Sequence, residues 1–109
     1  MQSAAALDRT FHALSDQTRR SMIRALAGGE ARSAGDLGRQ FNSAQPTISR
    51  HLKVLEQAKL IERNVEGRVH LFRLRQKPLQ EAGAWIERHQ QFWNCAVDQL
   101  ETLLAQGTP

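Results

Sequence analysis

The chain's 109 residues suit a single domain, since single cores commonly run to about 100–150 residues. Its lone cysteine, Cys95, excludes an intramolecular disulfide or a cysteine-rich metal cage within one chain. The net charge of +4 is unevenly spread: residues 1–75 hold 13 basic and 7 acidic side chains, residues 76–109 only 2 and 4.

No apolar run is longer than Ala4 to Leu7, so no membrane span is expected. The first residues also lack the basic and apolar regions of a secretory signal, and the expected address is cytoplasmic. A basic body joined to an acidic tail suits a polyanion partner, but charge alone equally describes a solvated basic face. Geometry has to separate the two.

Leu7, Phe11 and Leu14 recur at i, i+4 and i+7, one stripe of a first helix. Ser15-Asp16 offers an N-cap for a second helix carrying Met22, Ile23 and Leu26, and Gly28-Gly29 stops it. Ser33 can cap a short third helix through Asp36, Leu37 and Phe41, with Asp36 resembling the acid of a capping box. Ser43 is expected to cap a fourth helix over about 44–58, whose apolar stripe is Ala44, Ile48, Leu52 and Leu55. Two short helices around so tight a corner make a helix-turn-helix candidate.

Leu60 to Val65 and Arg68 to Leu74 read as two strands around the Glu66-Gly67 turn. Pro78 then opens a last helix of roughly 79–105. With no third long strand, this hairpin has to lean on the helices. The expected fold is mainly α with a small β-hairpin: a winged helix-turn-helix of about five helices and a two-stranded wing. One domain is expected over 1–109, with a body at 4–75 and a C-terminal dimerisation helix at 76–106.

At 100° per residue, Ala44, Leu52 and Leu55 fall within about 40° of Ile48, the buried stripe of the fourth helix. Pro46, Thr47, Arg50, Lys53 and Gln57 take the far side, flanked by Gln45 and Ser49, and no acid appears before Glu56. Such side chains suit a duplex: Arg and Lys bind guanine, Gln binds adenine, and hydroxyls bind base edges or phosphate. Ser43, Gln45, Thr47, Ser49, Arg50 and Lys53 are therefore the expected DNA contacts of this helix. Arg63, Arg68 and Arg73 are the expected contacts of the wing, in a hairpin that also carries Arg75.

The last helix alternates apolar or near-apolar residues at steps of three and four: Leu79, Ala82, Ile86, His89, Trp93, Ala96, Leu100 and Leu103. Trp85, Phe92, Val97 and Leu104 widen that seam. Packing within one chain is the simpler account, but the stripe is longer than one small domain can cover. The expected dimer surface is Leu7 and Phe11 with Ile86, His89, Trp93, Ala96, Leu100 and Leu103. Two copies would set two reading helices about 34–36 Å apart, one turn of DNA, and so read an inverted repeat.

Three collinear blocks also carry a resemblance. Phe11-His12-Ala13-Leu14-Ser15-Asp16-Gln17-Thr18-Arg19-Arg20, the run Ser43 to Leu55, and Glu66-Gly67-Arg68 before Leu71-Phe72-Arg73-Leu74 resemble the opening, recognition helix and wing of ArsR-family repressors. The likeness is to the cysteine-poor, SdpR-like branch. It implies a homodimeric transcriptional repressor on an inverted-repeat operator, often in its own promoter. Two residues depart from the family's pattern: Gln17 stands where proline is usual, and Lys59 where glycine is usual. A left-handed backbone at Lys59 would cost about 1 kcal/mol.

Metal-responsive members of that family carry a Cys-x-Cys on the third helix or paired acid and histidine ligands on the last. Ser33 to Phe41 has neither Cys nor His, and His89 precedes Asp98 and Glu101 without the family's first ligand pair. No metal and no cofactor is expected, and His12, His51 and His70 read as structural, with His51 supporting the recognition helix. Cys95 reads as a small buried hydrophobe. An effector-responsive repressor of the same fold, sensing a metal, an oxidant or a small molecule, remains an alternative. A winged-helix module that docks a protein is a second one, against which the acid-free reading face argues. Nothing has the spacing of a nucleophile and its base, so an enzyme is not expected.

Overall fold

Asp16 divides the first helical stretch into two. In the computed structural model, which describes residues 3–106, α1 runs Ala4–Leu14 and α2 runs Gln17–Leu26. The ends of the expected domain, 1–2 and 107–109, lie outside the described residues. The Asp16 carboxylate accepts from the Arg19 amide at 3.1 Å, so Asp16 is the α2 cap. Two arginines of α2 finish α1 in return. Arg19 donates to the carbonyls of Ala13 and His12 at 2.8 and 3.1 Å, and Arg20 donates to Leu14 at 2.7 Å. Beyond Leu26 the chain turns through Gly29, at φ 87°, a conformation open to glycine.

A strand the sequence did not announce follows: β1, Arg32–Ser33. Ser33 ends it and caps α3 (Ala34–Phe41), its hydroxyl accepting from the Asp36 amide at 3.1 Å. The Ser33 hydroxyl and amide hold the Asp36 carboxyl below the usual carboxylate range, the reciprocal bond of a capping box. α3 ends on Asn42 at φ 49°, a left-handed position that asparagine tolerates.

The expected cap of the next helix is corrected. α4 is Gln45–Gln57, and its cap position is Ala44, which has no capping side chain and is exposed; the buried stripe is therefore Ile48, Leu52 and Leu55 without Ala44, which precedes the helix. The Ser43 hydroxyl instead donates to the Phe41 carbonyl at 3.1 Å, satisfying an acceptor that the end of α3 leaves open. Pro46 in the first turn of α4 has no N–H to satisfy, which reduces what a cap would gain.

α4 ends in a Schellman motif: the Lys59 amide donates to Glu56 at 2.9 Å and the Leu60 amide to Leu55 at 3.0 Å. Lys59 is accordingly left-handed, at φ 60°. The departure from glycine noted in the sequence falls on a backbone that favours glycine.

Strands β2 (Ile61–Glu66) and β3 (Val69–Leu74) pair antiparallel from Ile61↔Leu74 to Glu66↔Val69. Gly67 has φ 63° and Arg68 does not have positive φ, the pattern of a two-residue type II′ turn. β1 pairs with the other edge of β3, so the sheet has three strands in the order β1-β3-β2.

Leu26, Leu37, Ile48, Leu52, Leu55, Leu60, Ile61 and Phe72 form one buried cluster beneath this sheet and between the helices. The last helix, α5, runs Lys77–Gln106 with Pro78 in its first turn. Thirty residues make a rod of about 45 Å, which contributes much of the 74 Å long axis of the molecule. Beyond Trp85 only Ala96 is even half-buried.

Candidate nucleic-acid interface

Burial of Ile48, Leu52 and Leu55 fixes which side of α4 faces outward. Gln45, Thr47, Ser49, Arg50 and Lys53 are all exposed on it. Among the described residues neither Arg50 nor Lys53 has an ion pair. The one carboxylate of α4, Glu56, is bound by the guanidinium of Arg63 on β2. The outward face of α4 is therefore left with cations, hydroxyls and amides. Pro46 has no N–H and the Thr47 and Ile48 amides donate to the Ala44 carbonyl at 3.0 and 3.1 Å, so the start of α4 is closed by the backbone of its own cap residue and not by a side chain.

At the corner between α3 and α4 the end of the exposed Gln45 side chain rests beside Gly38: a Cβ there would stand 2.8 Å from its Nε2, which a turn of that flexible side chain relieves. Ser43, half-buried and bonded within the corner, sets the turn.

The wing is fastened to α4. Besides holding Glu56, Arg63 donates to Nδ1 of His70 at 3.2 Å and lies 5.1 Å over the Phe72 ring. Between α4, the start of α3 and the wing runs a groove of about 420 Å³, lined in part by Ser49, Arg63, Arg68 and His70. Arg68, in the turn, has no ion pair among the described residues. Arg73 stands across from Glu62 on the opposite face of the hairpin from Phe72 and does not line the groove. The structure thus brings Ser49, Arg63 and Arg68 together and leaves Arg73 apart.

Two supports of this site were not read from the sequence. Glu56 precedes Arg63 by one helix end and one strand start, a separation no local pattern marks. Arg19 reaches from α2 to α4, where its Nη1 lies 3.3 Å from Nδ1 of His51. Asp16 stands 4.0 Å from the same ring nitrogen. The Arg19 amide, with lesser help from the Arg19 charge, holds the Asp16 carboxyl below the usual carboxylate range.

The remaining expected residues lie along α1 and α5. Leu7 and Phe11 are half-buried, and Phe11 meets Trp85 edge to face at 5.8 Å. His89 stacks on Trp85 at 3.9 Å and donates from Nδ1 to the Trp85 carbonyl at 2.8 Å. Ile86, Trp93, Leu100 and Leu103 are exposed along the free length of α5, Trp93 at 64% and Leu103 at 65%. Cys95 is exposed as well, which corrects its reading as a buried hydrophobe: among the described residues no other element covers that stretch of α5. Among the described residues no three His, Cys, Asp or Glu side chains gather as a metal site, and no helix is long and apolar enough to cross a membrane.

A family model described as a helix-turn-helix domain matches residues 14–64. The chain is 36% identical to the transcriptional repressor SdpR of Bacillus subtilis over 80 residues, 73% of this chain and 88% of that one. An ArsR-like transcriptional regulator from Rhodococcus superposes with a TM-score of 0.83 at 26% identity, over 96% of this chain and 94% of the other. A homodimeric winged helix-turn-helix DNA-binding domain of Mycobacterium bovis shares the fold, with a TM-score of 0.60 at 22% identity over 90% and 89% of the two chains.

Proposed function

The chain belongs to the ArsR family of winged helix-turn-helix transcriptional regulators, and on that footing we propose that it is a cytoplasmic homodimeric repressor of an inverted-repeat operator. One observation carries the reading. The outward face of α4 presents Arg50 and Lys53 with no ion pair among the described residues, while the helix's single acid is held by Arg63. Gln45, Thr47, Ser49, Arg50 and Lys53 then face base edges and phosphates in the major groove, and Ser43 shapes the corner that aims them. Arg68 follows a phosphate from the wing, Arg63 holds the wing to the helix, and Arg73 offers a further cation from the hairpin's other face. The repressor role is in keeping with the name of the Bacillus relative.

The second copy is supported by α5. Its exposed Ile86, Trp93, Leu100 and Leu103 form an apolar stripe that this chain leaves uncovered, and the Mycobacterium bovis domain is homodimeric. Leu7, Phe11, His89 and Ala96 complete the surface. Selection of bound fragments from a random duplex pool tests the whole reading. An inverted repeat with half-sites about one helical turn apart is expected. On that operator, Arg50→Ala and Gln45→Ala should each cost about 1–3 kcal/mol and relax the preference at one base. Selection that enriches no sequence, or variants that bind as the parent does, would refute it.

A further inference from the structure

Beside the C-terminal end of α4, four cations from four segments line one cavity of about 440 Å³. They are Arg9 of α1, Lys59 after α4, Arg75 after β3 and Lys77 at the start of α5. Among the described residues none of the four has an ion pair, although the half-buried carboxylate of Glu81 lines the same cavity. The fold fixes the convergence: the Arg75 amide donates to the Leu60 carbonyl at 2.8 Å, and Lys59 is locked in its Schellman turn. Buried Ala58 contributes to the wall beneath them. Glycine would occupy position 59 without strain, yet the chain carries a cation there and aims it into this space.

We propose that this cavity is a binding site for a small phosphorylated metabolite. Its volume suits such a ligand, since small-molecule sites typically enclose about 300–1,000 Å³. Four unpaired cations match the charge of a phosphate ester or diphosphate, and Glu81 is positioned to accept from a hydroxyl or amino group on the same molecule. None of Gln45, Thr47, Ser49, Arg50 or Lys53 lines the cavity, and α4 is about 20 Å long. The ligand therefore does not occupy the DNA face. It ties α1 and α5 to the rear end of α4, and through them it resets the angle of the two reading helices. That regulatory step rests on the proposed DNA-binding function; the site itself does not.

Titration calorimetry of the full chain with inorganic pyrophosphate, at ionic strength held constant with chloride, tests the site. Saturable binding of one pyrophosphate per chain is expected. Lys59→Gly and Arg75→Gln should each weaken it about tenfold, the size of one charge-assisted hydrogen bond. Lys59→Gly should also raise the thermal midpoint by relaxing the turn, so that lost binding is not lost folding. The doubly substituted Arg50→Ala, Arg68→Ala protein should bind pyrophosphate as the parent does. Binding that chloride replaces, that survives both cavity variants, or that disappears with the DNA-face variant overturns the proposal. If pyrophosphate binds and duplex selection fails, the DNA reading falls and the cavity stands; the opposite result removes the cavity alone.

Discussion

Nη1 of Arg19 stands 3.3 Å from Nδ1 of His51, joining the first turn of α2 to the middle of α4. A guanidinium only donates, so Nδ1 is the acceptor and the ring carries its proton on Nε2. The same guanidinium satisfies the Ala13 and His12 carbonyls, so one side chain finishes one helix and braces another. The His51 side chain is only 16% exposed, which keeps water from replacing the contact freely.

The brace is measurable as a coupling. Arg19→Ala should destabilise the chain by about 1.5–3 kcal/mol, the range for hydrogen bonds to a charged donor. A double-mutant cycle with His51→Ala, read from urea midpoints, should return about 0.5–1.5 kcal/mol for the pair. Additive single effects would mean that the two side chains merely sit side by side.

Asp16 adds a pH dependence of definite sign. Its folded pKa lies below the usual value of 3.8, chiefly because the Arg19 amide bonds the ionised carboxylate. The stabilisation is therefore fully present above that value and is lost as pH falls through the lower, folded one. Asp16→Asn keeps an acceptor at the cap but cannot titrate. Thermal midpoints of parent and variant should differ most near neutral pH and converge as pH drops below 3.8, the parent losing more. Parallel curves down to acid would rule out this account of the cap.

Salt titrations separate Arg68 from Arg63. Arg68 has no ion pair among the described residues, so Arg68→Ala should weaken specific and random duplexes alike and reduce the salt slope by about one. Glu56→Gln should do the reverse. Released from its carboxylate, Arg63 becomes available to phosphate, raising random-duplex affinity and steepening the slope by about 0.9. Equal slopes for parent and Glu56→Gln would show that Arg63 stays engaged elsewhere.

Trp93 is largely exposed within one chain, so charging it should spare the fold. Trp93→Asp is expected to elute as a monomer with an unchanged helical spectrum and to lose tight operator binding, which needs both half-sites. Retention of the dimer elution volume would exclude the α5 seam as the contact.

Legibility in the sequence followed the range of each signal. The Asp16 and Ser33 caps, the Gly29 stop and the outward face of α4 were readable, because each depends on residues within a few positions. Strand β1 was not: two residues carry no period, and Arg32–Ser33 become a strand only because β3 passes beside them. Ser43 misled because a serine before a helix usually caps it, whereas here the left-handed end at Asn42 leaves the Phe41 carbonyl for it to satisfy. The Arg63–Glu56 pair and the Arg19 brace are products of folding. Their partners meet across elements, and nothing in local spacing announces them.

Ser33 serves two masters: its backbone pairs with Leu71 of β3, and its hydroxyl starts α3. A hairpin swinging outward from the body would have to unpick that stitch and loosen the first turn of the helix pair along with it. The turn at Gly67 lies beyond the β1 pairing and has no such tie to the helix pair. The shoulder of the wing is thus set in the same joint that starts α3, and its fingertip is held by β2 and β3 alone.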